Sequence, residues 1–310
     1  MILHIVLIFI SDLVHTSADI CSYCSCNEDK KSITCSSPSL LVRTVSLLPW
    51  IEEVHLINLN LPYPPHFLFH PNLKALYINR CGLEELSAHS LLPLPNLEVL
   101  DFADNHLKTL PATLLHSLKH LRVLNLARNK ITDLSELSDM LAKNIVLEKL
   151  DLSGNPIALS NTNSFFPPSQ QLFLSNANLA FLNSTALIFQ PSTICSEDVS
   201  CRILPISQAQ LGRLNRLDVS GNNLIVDISA LNALSHAHLL DFSHNHLPSQ
   251  FIDWLENKSR VKYLNLSNAE MHLHDDVWSS CGTDLKQLDI SGLRRNNQIC
   301  SQLCSEYCIR

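Results

Sequence analysis

The stretch from Leu97 to Asn129 repeats itself. Leu97, Leu100, Phe102, Asn105 and Leu107 recur, 24 residues later, as Leu121, Leu124, Leu126, Asn129 and Ile131. A fixed period of this size constrains the fold more than any other property of the chain. A unit so short cannot bury its own apolar side chains, so it must stack on copies of itself. The 310 residues, 46% of them hydrophobic, can bury a large core and do not form a disordered segment. In a stacked array, however, length does not set the number of domains.

With the first apolar position as register, repeats begin at Ile51, Leu73, Leu97, Leu121, Leu147, Ser169, Leu214, Ala237, Val261 and Leu285. The interval from Ser169 to Leu214 is 45 residues, close to two periods. That spacing predicts one degenerate repeat between Asn178 and Arg213, and about eleven coils in all. The shared pattern, L-x-x-L-x-L-x-x-N-x-L, resembles the leucine-rich repeat family. Units of about 24 residues with irregular second halves, such as KTLPATLLHSLKHL, resemble its typical extracellular class.

The resemblance implies an α/β solenoid: a curved horseshoe with a parallel concave β-sheet and an irregular or short-helical convex side. Each L-x-L becomes a short strand, with Leu100 and Phe102 pointing inward and Val99, Asp101 and Ala103 outward. The Asn slots hold Asn105, Asn129, Asn155, Asn222 and Asn245. An amide both donates and accepts, so it suits backbone groups stranded inside a tight coil. The same slot holds Cys81, which the family accepts there and which is therefore expected to be an unpaired thiol.

The 11 cysteines lie mostly at the two ends, as disulfide-bonded caps in an oxidising compartment would. Cys21, Cys24, Cys26 and Cys35 are spaced C-x2-C-x-C-x8-C. Alone, C-x2-C also fits a redox pair or half a zinc site, although no His/Cys partner pair follows at zinc-finger spacing. Four cysteines allow three connectivities, and the family's N-terminal cap implies Cys21 with Cys26 and Cys24 with Cys35. A polar cap is needed because the first coil otherwise exposes an apolar face and an unpaired edge. Cys195 and Cys201 are expected to close a loop in the degenerate repeat. Cys281, Cys300, Cys304 and Cys308 are expected to staple the C-terminal end, although SGLRRNNQICSQLCSEYCIR departs from the family's usual N-P-x-x-C-x-C cap.

The run from Ile2 to Ile10, apolar apart from His4, followed by Thr16 and Ala18, reads as a signal peptide cut after Ala18. The expected organisation is a signal peptide at 1–18, a cysteine-rich cap at 19–50, the solenoid at 51–293 and a cysteine-rich tail at 294–310. No apolar run reaches the roughly 18 residues of a membrane span. The sequence thus reads as a secreted, extracellular protein. The alternatives are a truncated ectodomain of a single-pass membrane receptor, adhesive or innate-immune, and an extracellular-matrix structural protein.

Several function classes lose support. Only 6 glycines are present, and neither G-x-G-x-x-G nor G-x-x-x-x-G-K-[ST] occurs, which disfavours nucleotide chemistry. A net charge of -7, with Lys and Arg scattered singly, lacks the concentrated basic face of a nucleic-acid binder. H-E-x-x-H and G-x-S-x-G are absent, so the familiar zinc-protease and hydrolase routes have no support, and no cofactor or catalytic residue is expected. The close pairs His236 and His238, His244 and His246, and His272 and His274 lack a third ligand at recognisable spacing and read as solvated surface histidines.

The implied function is protein recognition on the concave face. Eleven strands at about 4.8 Å and four exposed positions at about 3.3 Å make a face of roughly 650 Å². That is close to the ~800 Å² each partner buries in a standard interface. Candidate contact residues are Tyr77, Asp101, Asn125, Asp151, Phe173, Asp218, Asp241 and Tyr263. The Asp/Asn column has two readings, an acidic ladder for a basic partner or a family habit. Repulsion between neighbouring carboxylates, only about 1 kcal/mol in water, does not forbid the second. Tyr77, Phe173 and Tyr263 are expected to be exposed rings, of the type enriched in binding hot spots. The sequons at Asn183, Asn257 and Asn265 are candidate glycan sites. The last falls on the concave column, where a glycan would block the final third of the face.

Overall fold

The computed structural model describes residues 18–37, 45–65, 70–87, 89–92, 94–111, 113–133, 146–157, 169–179, 181–182, 203–204, 212–257, 259–271, 284–293 and 308–309. The signal-peptide residues before Ala18, Asn183, Cys195, Cys201, His272, His274, Cys281, Cys300 and Cys304 lie outside them.

Alternation dictates the strands. In Val99–Asp101, Val123–Asn125 and Lys149–Asp151 the middle leucine is buried and its two neighbours are half-exposed. A segment with that pattern satisfies itself only as a strand with one wet face. Among the described residues, ten such strands, one at each register position, stack in parallel within a 13-stranded sheet. The apolar side chains they turn inward, from Val54 and Leu56 to Leu288 and Ile290, join one continuous core.

Both ends of the sheet are covered. Ser25–Asn27 and Ser32–Cys35 form an antiparallel hairpin whose second strand pairs in parallel with Glu53–Ile57 of repeat 1. The disulfides Cys21–Cys26 and Cys24–Cys35 pin that hairpin, with the pairing the resemblance implied. At the far end, Cys308–Ile309 adds a short strand beside Gln287–Asp289.

The long interval is resolved differently from the expectation. Gln171–Phe173 of repeat 6 pairs directly with Arg216–Asp218 of repeat 7, so no eleventh coil contributes a strand between them. Phe181–Leu182 and Ile203–Leu204 instead join Ile225–Val226 in a separate three-stranded parallel sheet. The main ladder runs on from repeat 6 to repeat 7 in unbroken register. The reason lies in the asparagine slot: Asn222 accepts from Ala177 and Leu179 N–H and donates to the Leu174 carbonyl. Repeat 7 is thereby bolted directly to repeat 6.

The second halves of repeats 7 and 8 carry short helices, Ile228–Ala233 and Phe251–Asn257. Ala230, Leu231 and Ala233 of the first, and Phe251, Ile252, Trp254 and Leu255 of the second, are buried. Phe251 meets Phe242 edge to face at 6.2 Å and Trp254 at 5.5 Å. The described second halves of the other repeats are mainly turns and irregular chain.

One turn recurs in every repeat. The residue just before the asparagine slot has a left-handed backbone at Asn58, Arg80, Asp104, Arg128, Gly154, Asn176, Gly221, His244, Asn268 and Gly292. At Gly221 a Cβ would stand 2.4 Å from Asn176 Oδ1, so the missing side chain makes room for the neighbouring coil's amide.

Candidate interaction surface

The asparagine slots hold the coils in the register that creates the surface. Asn105 Oδ1 accepts from Cys81 and Leu83 N–H at 3.1 and 3.0 Å, and its Nδ2 donates to the Ile78 and Phe102 carbonyls. Asn129 and Asn155 repeat the arrangement one and two coils on, and Asn245 does so in repeat 8. Cys81 is a buried free thiol that donates to the Leu56 and Asn79 carbonyls, as far as one donor can imitate an amide. Burial pushes its pKa up.

Two columns of side chains cover the wet face of the sheet. The third strand position gives His55, Tyr77, Asp101, Asn125, Asp151, Phe173, Asp218, Asp241, Asn265 and Asp289 in register. Seven of these are tied to their own turn. A side-chain oxygen of Asp101, Asn125, Asp151, Asp218, Asp241, Asn265 and Asp289 accepts from the backbone N–H two residues on, at 2.9–3.0 Å. The column therefore has a structural reason to be Asp or Asn, because only a short side chain ending in an acceptor reaches that N–H. Across strands, Asn79 and Asn125 both donate to Asp101, and Asn265 donates to Asp241. This spends part of the acidic ladder internally. Asp218 keeps a raised pKa: burial raises it most, the Ser220 hydrogen bonds oppose this, and the Asp241 charge adds to it.

The aromatic positions differ among themselves. Tyr263 is exposed. Tyr77 is half-buried and stacks on His55 at 4.3 Å with the rings nearly parallel, while His55 Nε2 lies 2.9 Å from Glu53. Burial first, then the charges of Glu53 and Asp101, raises the Tyr77 pKa. Phe173 is not the exposed ring expected, being only 8% accessible. Lys149 from repeat 5 and Arg216 from repeat 7 lie over it, 4.9 and 4.6 Å from its centroid. Phe173 thus presents two cations rather than a ring, and Arg216 Nε is buried with no hydrogen-bond partner among the described residues. Phe173 was visible in the sequence, but its cover comes from strands on either side.

The column at the first strand position begins Glu53, Ala75, Val99, Val123, continues through Lys149, Gln171 and Arg216, and ends Leu239, Tyr263, Gln287. This column is therefore apolar in repeats 2 to 4, polar and cationic in repeats 5 to 7, and apolar and aromatic in repeats 8 and 9. Beside it, along the flank where each strand starts, lie two polar hollows of ≈ 510 and ≈ 350 Å³. The cations among their linings, Lys74 and Arg122, are ion-paired with Glu52 and Glu148.

The remaining candidates separate in the same way. Asn257 is exposed at the end of its helix, whereas Asn265 is half-buried with both ends of its amide engaged. His246 bonds Asn223 and Glu270, and His244 turns with a left-handed backbone. Among the described residues, no group of three His, Cys, Asp or Glu is placed to hold a metal ion, and no helix is long and apolar enough to cross a membrane.

Comparison with known proteins agrees with this architecture. The family model described as Leucine rich repeat matches residues 71–131 and 103–157. No curated protein matches the sequence closely enough to count as a relative. Human 5T4 (Wnt-activated inhibitory factor 1, Trophoblast glycoprotein) is similar in structure, with a TM-score of 0.51 at 18% identity over 80% of each chain. A chain of the octameric complex of Latrophilin 3 (Lec, Olf), Unc5D (Ig, Ig2, TSP1) and FLRT2 (LRR) is similar too. Its TM-score is 0.57 at 19% identity, over 86% of this chain and 82% of that one. At such identities the likeness is one of fold.

Proposed function

We propose that this leucine-rich repeat solenoid works as an extracellular, non-catalytic recognition protein that binds a protein partner on the concave face of its sheet. The observation that carries the reading is the make-up of that face. Ten repeat strands at about 4.8 Å spacing give a strip roughly 48 Å long. Tyr263, the His55–Tyr77 stack and the two cations over Phe173 stand on it without being needed for the core. Rings and guanidinium groups on a pre-formed, rigid surface lose little freedom on binding and are the side chains most enriched in hot spots. The octameric complex that contains FLRT2 (LRR) is an assembly of the kind this reading requires.

An extracellular setting is supported by the disulfide-pinned cap, since such bonds persist where the surroundings are oxidising. We read the chain as secreted. Finding the tagged chain in culture medium supports that, and finding it only in the membrane fraction would favour the receptor alternative.

The recognition reading is tested by affinity capture with the tagged chain, comparing wild type with the double variant Tyr77→Ala/Tyr263→Ala. Both rings are partly accessible, so the variant should keep its unfolding midpoint while losing the captured protein. Undiminished capture would move the site off this face.

A further inference from the structure

A third row of residues, the one immediately after the first apolar position of each repeat, runs along the flank on backbone hydrogen bonds. Lys74 N–H donates to the Glu52 carbonyl, Glu98 to Lys74, Arg122 to Glu98 and Glu148 to Arg122; further on, Lys262 donates to His238 and Lys286 to Lys262, all at 2.7–2.9 Å. These residues are direct neighbours, and the two halves of the row differ in charge. From repeat 1 to repeat 5 the signs alternate strictly: Glu52, Lys74, Glu98, Arg122, Glu148. Ion pairs follow, with Lys31 and Lys74 sharing Glu52, and Arg122 holding Glu148. Gln170 and Asn215 then interrupt the row. Repeats 8 to 10 set His238, Lys262 and Lys286 in succession, and neither lysine has an ion-pair partner among the described residues.

The row beside it, one residue before the first apolar position, adds Arg213 and Arg260 in repeats 7 and 9, with Asp284 in repeat 10 its one carboxylate there. Composition does not produce this cluster, because the chain has 29 acidic residues against 22 basic ones. Like charges directly opposite on neighbouring strands destabilise a sheet. The fold nevertheless places such a pair in the half of the row that follows five perfectly alternating positions.

We propose that this C-terminal half of the row is a docking edge for an acidic segment of the protein partner, an inference that rests on the recognition role proposed above. The extent of the edge favours a peptide segment over a uniformly charged polymer. It covers three rungs, roughly 15 Å at about 4.8 Å each. Asp241 and Asp289 stand three residues inward from His238 and Lys286 on the same strands. A nucleic acid or sulfated polysaccharide, charged along its whole length, meets those carboxylates as well. A peptide can turn its carboxylates to the lysines and its other side to Tyr263. A charged rim of this kind acts mainly on the association rate and on specificity, and its effect weakens with salt.

The probe is a fluorescent oligoglutamate peptide, titrated with the intact chain at low and at physiological salt, with heparin in parallel. The peptide should bind at low salt and weaken as salt is added. Lys262→Glu with Lys286→Glu should weaken it about tenfold or more, since both rungs turn from attraction to repulsion. Lys108→Glu with Lys130→Glu imposes the same change of net charge at exposed positions beyond the asparagine turn, and should change binding less than about twofold. Equal losses in the two variants would reduce the edge to bulk charge and overturn the proposal, as would saturable binding of heparin without binding of the peptide. If the natural partner is lost on substitution of Tyr77 and Tyr263 but is captured unchanged, with unchanged salt dependence, after the Lys262 and Lys286 reversals, this edge fails and the recognition reading stands.

Discussion

At the scale of single residues, side chains with the same composition do opposite work. Asn129 holds the Phe102 and Leu126 carbonyls and the Leu107 N–H, all inside the stack. Asn129→Ala strands these groups away from water and should cost about 1–3 kcal/mol or more in a urea titration. Asp218 is the contrasting case. Burial holds its carboxyl above the ordinary value of 3.8, so the folded state binds a proton more readily than the unfolded one. Its cost is therefore absent in acid and appears as pH rises through the raised value. Asp218→Asn keeps the acceptor for Ser220 and should make the fold more stable at pH 7, with the gain vanishing on acidification below about pH 3.8. The Arg128 guanidinium holds Asp104 below that range, so Asp104→Asn should show the reverse sign: a loss at pH 7 that fades as pH falls. Chemical denaturation at the two pH values decides both cases. The asparagine slots and Cys81 were legible in the sequence because each is fixed by position within one period. The burial of Phe173 was not, because Lys149 and Arg216 reach it from two other repeats, one of them across the long interval.

At the scale of elements, the cap and the insertion follow different rules. Cys24–Cys35 ties the hairpin strand that covers repeat 1. Replacing both cysteines by serine should cost roughly 2–5 kcal/mol and loosen that end first, visible as early hydrogen exchange in residues 20–35 while Asn129 and its neighbours stay protected. That pairing was readable from the family likeness. The path of the insertion was not, since an interval of nearly two periods has the length of one more coil. The direct pairing of Gln171–Phe173 with Arg216–Asp218, and the bonds of Asn222 to Leu174, Ala177 and Leu179, decide that the ladder skips it. The two sequons on described residues, Asn257 and Asn265, differ in the elements that carry them. In a chain expressed through the secretory pathway, mass spectrometry should find a glycan on the exposed Asn257 and none on Asn265, whose amide is committed to Asp241 and Ser267. A glycan on Asn265 would close the face around Tyr263 and contradict the proposed site.

At the scale of the whole molecule, the two ends of the concave face belong to one surface. Parallel stacking brings residues spread through the sequence into straight rows, so cations that look scattered in the chain become contiguous on the flank. The Asp and Asn column, the natural first guess for a binding ladder, is largely occupied in closing each strand's turn. The proposed recognition therefore falls to the Tyr77 end, the Lys149 and Arg216 centre, and the Tyr263 region with its basic edge. Lysine footprinting of the captured complex tests this most directly, because the lysines are distributed over both sides. Partner binding should protect Lys149, Lys262 and Lys286 from acetylation and leave Lys108 and Lys130 as reactive as in the free chain. Protection of Lys108 and Lys130, with Lys149, Lys262 and Lys286 unchanged, would contradict recognition through the concave face.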